Sequence, residues 1–398
     1  MKIYLKKYHI MKKSTSPVFY LSIFFFALAT AFASSGCDKE KTDPTGSDSS
    51  SWIRERGDNA NTGVSGAGKG QSKAPKGDWT FDTDNILKST PAVFDNKVYI
   101  GGNGEFYALN LKTGAVEWTA PYYGNSATYD DGVVYFGNND DEFIALNAKT
   151  GEVEWAVTTP DRVETNPLIV DGAVHFGDGD NFYALDKTTG DLIWNKYVYG
   201  TQSSPGFHNG HVLFGNDNGT LFCLDAASGD EAWTFETGTN DAIYSAPAIL
   251  QDEVYFGNVD GKIFKLNANT GDLIWQYTTD GRLAFGSGAV ADDKVYFTCA
   301  STAPSVVPER IVCLDAETGD ELWAVTFDGP AFSDPIIVDD QVWVGTSQGL
   351  YAFDRQTGDQ IWGVTQDSGG TAIWSTPVVL KNKVLVGFAD GNLHLFEF

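Results

Sequence analysis

The chain has 398 residues, of which 20% are charged, 42% hydrophobic and 14% aromatic. Its 53 acidic residues outnumber its 27 basic residues, which gives a formal net charge of −26 at pH 7. Such a surface repels phosphate backbones, so the composition argues against nucleic-acid binding. The acidic residues concentrate in predicted turns and indicate a solvated rim, with attraction of a cationic partner as the alternative.

The N-terminal residues predict export. Lys12 and Lys13 precede the apolar stretch Phe19–Ala33, which is long enough for a signal peptide but shorter than the roughly 20 apolar residues of a membrane-spanning helix. Cleavage after Ala33 is one possibility, but the following Ser-Ser-Gly-Cys run resembles a lipobox. We therefore predict a signal peptide over residues 1–36 and lipid attachment at Cys37, with a cleaved soluble protein as the alternative.

Residues 37–78 are predicted to form the anchor, a flexible polar tether and a lead-in segment. Gly63–Gly70 matches a phosphate-binding loop up to Lys69, but Gly70 stands where a magnesium-binding Ser or Thr belongs. We therefore interpret this stretch as a linker. Arg56-Gly57-Asp58 is interpreted as a turn within the lead-in segment.

From residue 79 to residue 398 the chain repeats one strand-rich unit eight times. Runs of the type Val-Tyr-Phe-Gly begin at Val98, Val134, Val174, Val212, Val254, Val295, Val342 and Val384. β-Branched and aromatic residues fill four short runs in each unit, and Gly, Asn and Asp fill the gaps. One unit is too small to bury a core, so the units must stack on their neighbours. The repeat predicts an all-β, eight-bladed β-propeller.

The termini predict how the ring closes. The last unit supplies three strands from Trp374 to Phe398 and then ends. A fourth strand is available around Trp79, so we expect Asp78–Asp82 to pair with Leu393–Glu397. The two ends of the repeat region would then share one blade.

The unit Ala-Leu-Asn-Xaa-Lys-Thr-Gly-Xaa-Val-Glu-Trp at Ala108–Trp118 and Ala145–Trp155 resembles the PQQ-type (quinoprotein) propeller repeat with its docking tryptophan. The resemblance covers residues 79–398. Eight such blades occur in quinoprotein dehydrogenases and in BamB-like outer-membrane assembly lipoproteins, and this short chain is more similar to the second group. One tryptophan per unit is expected to wedge between neighbouring blades: Trp79, Trp118, Trp155, Trp194, Trp233, Trp275, Trp323 and Trp362.

The resemblance to quinoprotein dehydrogenases implies two adjacent cysteines and calcium ligands, and this chain has no Cys-Cys pair. Its histidines are scattered through different units, which predicts neither a metal cluster nor a catalytic triad. Cys223 and Cys313 stand where other units carry alanine, and Cys299 is placed too far from Cys313 for a disulfide. We therefore predict no catalytic residue, no metal and no cofactor, with PQQ plus calcium as the alternative.

Loops that enter the innermost strands surround one mouth of a propeller channel, and aromatic and arginine residues there are candidate binding residues. They are Tyr123, Arg162, Tyr199, Tyr244, Arg282, Phe332 and Trp374. The insertion Ala300–Glu309 is a second candidate contact. The resemblance implies a monomeric, non-catalytic envelope scaffold on an outer-membrane lipid anchor, facing the periplasm or the cell surface. Its partners would be envelope proteins, including outer-membrane barrel assembly components. The alternatives are a protein that binds a quinone or another small ligand, including a PQQ-dependent dehydrogenase-like protein, and a soluble periplasmic or secreted location.

Overall fold

The computed structural model describes residues 6–7, 52–54, 56–65, 70–83, 89–102, 104–238, 241–279, 286–299, 309–327, 333–365 and 372–398. In these residues the regular structure consists of 33 β-strands arranged in eight sheets. The predicted all-β, eight-bladed propeller is confirmed. No helix in the described ranges is long and apolar enough to cross a membrane.

Each blade is an antiparallel sheet that runs from a three-residue strand at the channel to an edge strand at the rim. The first four blades are β3 (Ala92–Phe94), β4 (Lys97–Gly101), β5 (Phe106–Asn110), β6 (Val116–Ala120); β7 (Thr128–Asp130), β8 (Val133–Gly137), β9 (Glu142–Asn147), β10 (Val153–Thr158); β11 (Leu168–Val170), β12 (Ala173–Gly177), β13 (Asn181–Asp186), β14 (Leu192–Tyr197); and β15 (Gly206–His208), β16 (His211–Gly215), β17 (Thr220–Asp225), β18 (Glu231–Glu236). A two-residue strand, β1 (Lys6–Lys7), pairs with β10.

The remaining blades follow the same order. They are β19 (Ala248–Leu250), β20 (Glu253–Gly257), β21 (Lys262–Asn267), β22 (Leu273–Thr278); β23 (Ala289–Ala291), β24 (Lys294–Cys299), β25 (Glu309–Asp315), β26 (Glu321–Phe327); β27 (Ile336–Val338), β28 (Gln341–Thr346), β29 (Gly349–Asp354), β30 (Gln360–Thr365); and β31 (Val378–Leu380), β32 (Lys383–Gly387), β33 (Asn392–Glu397), β2 (Lys76–Asp82).

Two kinds of turn explain where the Gly, Asn and Asp residues fall. In the first four blades the first hairpin turns through two residues with positive φ, as at Asp131 (45°) and Gly132 (85°), a geometry that suits Asp-Gly and Asn-Gly pairs. Before the edge strand, an Asn or Asp side chain caps the turn. Asp225 Oδ1 accepts the backbone N–H groups of Ala227 and Ser228 at 3.0 and 2.8 Å.

The ring closes as the sequence predicts. In the eighth blade, Trp79 faces Leu395 and Asp82 faces Asn392 across the β2–β33 pairing. Lys76 faces Glu397 further along the same pair. The N-terminal and C-terminal strands of the ring are therefore joined by strand pairing alone, because no turn connects them.

The repeated tryptophans bridge neighbouring blades. The indole Nε1 of Trp118 donates to the Ala148 carbonyl of the next blade at 3.1 Å, and its ring lies against Gly151 of that blade. The same bond is made at six other interfaces, from Trp79 to Leu111, Trp155 to Lys187, Trp194 to Ala226, Trp233 to Ala268, Trp275 to Ala316 and Trp323 to Arg355. At these interfaces each blade binds the next through a buried or half-buried indole. Trp362 of the seventh blade instead donates to the carbonyl of Gln71, which precedes β2.

The tyrosine of the Val-Tyr run often shares the tryptophan's acceptor. Tyr99 Oη donates to the Ala148 carbonyl at 3.2 Å, alongside Trp118. In the third blade His175 replaces this tyrosine, and its Nε2 lies 3.0 Å from the Ala226 carbonyl. Burial lowers the pKa of His175, so the neutral ring is favoured there.

The channel contains a segment of the chain itself, residues 52–54 and 56–65, here named the axial segment. The middle residues of six innermost strands donate their N–H groups to its carbonyls. These donors are Val93, Tyr129, Phe207, Ile249, Val290 and Ile337. Because the innermost strands are sheet edges, the axial segment satisfies donors that would otherwise face the channel. These carbonyls meet the first, second, fourth, fifth, sixth and seventh blades in that order, so the segment follows the inner wall of the ring.

Candidate functional site

One mouth of the channel is an open bowl of about 360 Å³, to which all eight blades contribute. Its floor includes Arg56 of the axial segment, whose residue surface is only 1% exposed. The wall is formed by hydroxyl, amide, carboxyl and aromatic side chains and one alanine: Ser89, Asn125, Ser126, Asn139, Glu164, Asn166, Gln202, Ser204, Tyr244, Ala246, Ser287, Asp334, Trp374 and Thr376.

A ring of hydrogen bonds organises the base of this wall. At the entrances to five of the eight innermost strands, a backbone N–H of one blade donates to a side-chain oxygen of the next blade. The pairs are Thr90 to Ser126, Asn166 to Ser204, Ala246 to Ser287, Ser287 to Asp334 and Thr376 to Thr90, at 2.6–3.1 Å. Small polar side chains at this position hold adjacent blades in register, because they satisfy buried backbone donors.

The floor charges neutralise each other. Arg56 Nη1 lies 3.3 Å from Asp334 Oδ2 and donates to the Pro335 carbonyl, while Nη2 donates to the Gly288 carbonyl. Asp334 Oδ1 also accepts the Ser287 N–H. Arg56 therefore ties the axial segment to the sixth and seventh blades.

A side pocket of about 160 Å³ adjoins the bowl, and Glu164 and Gln202 line both. Arg162 Nε lies 3.4 Å from Glu164 there. Burial, followed by the nearby Glu164 and Asp180 carboxylates, raises the pKa of Asp217. Among the described residues, the buried Asp217 Oδ1 has no hydrogen-bond partner.

The structure brings some of the sequence-predicted mouth residues together. Tyr244 and Trp374 line the bowl, and Arg162 lines the side pocket. Tyr123 and Tyr199 are 45% and 56% exposed and line neither space. The remaining candidates, Arg282, Phe332, Cys37 and residues 300–308 of the insertion, lie outside the described residues.

The sequence analysis did not identify Arg56, Asp334 or Asn139 as bowl residues. A signal for the ring was available, since a small polar residue precedes proline where an innermost strand begins, as in Thr90-Pro91, Ser204-Pro205 and Asp334-Pro335. Arg56 had no such signal, because its partners Gly288 and Asp334 are more than 200 residues away in the chain.

The three cysteines in the described residues are buried within the blades and form no disulfide. Cys223, Cys299 and Cys313 are free and buried, and burial raises the pKa of each thiol to about 12. Cys313 faces Tyr296, whereas Cys299 faces Arg310 further along the same strand pair. In the described part of the chain, no group of three or more His, Cys, Asp or Glu residues is placed to hold a metal ion.

A PQQ cofactor is a planar quinone that carries three carboxylates, and the described bowl residues do not fit it. The arginines of the bowl and side pocket, Arg56 and Arg162, are each engaged by a carboxylate. These two pairs leave no uncompensated positive charge, and the Asp217 carboxylate of the side pocket adds a negative one, so the lining has nothing to balance a trianion.

The family model for "Outer membrane protein assembly factor BamB" matches residues 74–204, 183–307 and 302–397. Among curated proteins, tetrathionate hydrolase of Acidithiobacillus ferrooxidans is 27% identical over 160 residues. That match covers 40% of this chain and only 30% of the hydrolase.

Solved structures share the fold. BamB from Moraxella catarrhalis aligns with a TM-score of 0.68 and 20% identity over 82% of this chain and 98% of that one. A europium-containing methanol dehydrogenase aligns with a TM-score of 0.73 and 16% identity, over 88% of this chain and 99% of that one. The quinohemoprotein alcohol dehydrogenase of Comamonas testosteroni aligns with a TM-score of 0.75 and 14% identity, over 87% of this chain and 80% of that one. These low identities establish the fold alone. Because the family match extends from residue 74 to residue 397, the chain belongs to the PQQ-like β-propeller family of outer membrane protein assembly factor BamB.

Proposed function

We propose that the protein is a non-catalytic scaffold of the bacterial envelope that binds partner proteins during outer-membrane protein assembly. The main support is the axial segment, which occupies the inner edge of six blades and forms part of the floor of the bowl. The buried thiols, with their raised pKa values, are poorly suited to nucleophilic chemistry. The family match to an assembly factor supplies the biological setting.

The proposal includes a membrane tether. Export by residues 1–36 and lipid attachment at Cys37 would hold the propeller at the outer membrane. Mass spectrometry of the mature N-terminus distinguishes a lipidated Cys37 from cleavage after Ala33. An unmodified chain that begins at Ser34 would contradict the tether, and the Cys37→Ser variant serves as the matched control.

The scaffold role is tested by affinity capture from detergent-solubilised membranes. We expect components of the outer-membrane barrel assembly machinery to be enriched with the wild-type protein, relative to an unrelated tagged lipoprotein. If none of these components is enriched, the assembly role is wrong.

The enzymatic alternative has its own test. PQQ and calcium are added to the purified protein, and spectral change and dye reduction with alcohols are followed. A stoichiometric spectral change with turnover would replace the scaffold proposal, whereas no change is the expected result.

A further inference from the structure

The walls of the bowl have a composition that suits one ligand chemistry. Amide groups of Asn139 and Gln202, hydroxyl groups such as that of Ser89, and the Glu164 carboxylate face the same space. Amides offer both hydrogen-bond donors and acceptors, and carboxylates offer acceptors only. The bowl can therefore satisfy a ligand whose groups both donate and accept, as hydroxyl groups do.

Two aromatic side chains add apolar surface to this polar wall. Tyr244 belongs to the loop entering the fifth blade, and Trp374 to the loop entering the eighth. Aromatic rings combine an apolar face with a polar O–H or N–H at one edge. Such rings suit the C–H face of a sugar, while the surrounding amides bind its hydroxyl groups.

Charge on the floor favours a neutral ligand. Arg56 and Asp334 pair on the floor, and Arg162 and Glu164 pair at the side pocket. Because each arginine is already paired with a carboxylate, neither pair offers an uncompensated charge to an ionic ligand.

Size is compatible with a small ligand. Small-molecule sites occupy roughly 300–1,000 Å³, so a bowl of about 360 Å³ lies at the lower end of that range. The adjoining side pocket extends the space past Glu164 and Gln202. We propose that the bowl binds the terminal units of a neutral oligosaccharide, with Trp374 and Tyr244 against the sugar rings and Gln202, Asn139 and Glu164 on the hydroxyl groups. This binding goes beyond the scaffold role.

Titration calorimetry with maltotriose, cellotriose and N,N′,N″-triacetylchitotriose tests the proposal on the whole protein. We expect saturable binding of at least one trisaccharide at millimolar concentrations or below. Trp374→Ala and Gln202→Ala should each weaken binding by about tenfold, because each removes one direct ligand contact. Tyr197→Ala is the matched control, because Tyr197 is 60% exposed on the rim strand of the third blade and should leave affinity unchanged.

A second arm displays the same trisaccharides on beads to separate a free sugar from a glycan attached to a surface. Binding in either arm supports the site, and binding only to displayed glycans assigns an attached one. Spermidine serves as the cationic comparison ligand. The proposal is overturned if no trisaccharide binds in either form, if spermidine binds and no trisaccharide does, or if Trp374→Ala and Gln202→Ala bind as wild type. Circular dichroism and thermal unfolding confirm that the variants are folded, so a loss of affinity reports the site.

Discussion

The contact between Trp118 and Gly151 permits a sharp test of how the blades are joined. Gly151 has a φ of +73°, and a Cβ added there would lie 2.6 Å from Trp118 Cε3. Gly132, in the same blade, has a φ of +85°, and a Cβ added there meets nothing within 4 Å. The two glycines therefore share the backbone cost of a left-handed residue and differ in the clash with the indole.

For Gly132→Ala we expect a loss of about 1–2 kcal/mol in the free energy of unfolding, which is the cost of the left-handed conformation. Gly151→Ala should lose about 1–3 kcal/mol more, because the indole must move and overpacked sites cost about that much. Displacement also threatens the hydrogen bond of 3.1 Å from Trp118 Nε1 to the Ala148 carbonyl. Guanidinium denaturation followed by circular dichroism measures both losses.

A double-mutant cycle identifies the cause. In the Trp118→Ala background the clash is absent, so Gly151→Ala should cost no more than Gly132→Ala. The reasoning is refuted if the two alanine substitutions are equally destabilising in the wild-type chain. It is equally refuted if the extra cost of Gly151→Ala persists without the indole.

Three further predictions concern burial and charge. Because burial lowers the pKa of His175, the unfolded chain binds more protons below the ordinary histidine value, and stability should fall as pH drops through about 6.5. His175→Tyr, which restores the residue of other blades, should flatten that part of a denaturation-against-pH curve, and an unchanged slope contradicts the argument. Arg56→Gln should destabilise the fold by about 2–4 kcal/mol in chemical denaturation, since it breaks a largely buried pair with Asp334. Arg162→Gln, at an exposed pair, should change stability by less than about 1 kcal/mol, and equal losses would be inconsistent with the axial role of Arg56. Finally, Cys223, Cys299 and Cys313 should resist a thiol reagent at pH 8 until the protein unfolds, since all three are buried with pKa values raised to about 12. Rapid labelling of the native Cys37→Ser variant would contradict this.

The blade architecture was accessible from the sequence because its determinants are local and repeated. A Val-Tyr run, a capped turn with a glycine of positive φ, and a tryptophan four residues later all fall within one unit of the chain. Counting strands at the termini also predicted the pairing of Trp79 and Asp82 with β33. Strand pairing in an antiparallel blade depends mainly on this local alternation and on turn geometry.

The axial segment and the bowl were decided only by the tertiary structure. Arg56 meets Asp334, and the bowl collects side chains from eight blades that no spacing in one dimension relates. The sequence placed Tyr244 and Trp374 at the mouth but did not separate them from Tyr123 and Tyr199, which line neither the bowl nor the side pocket. Local patterns determine each blade, whereas ring closure determines which residues from distant blades face one another.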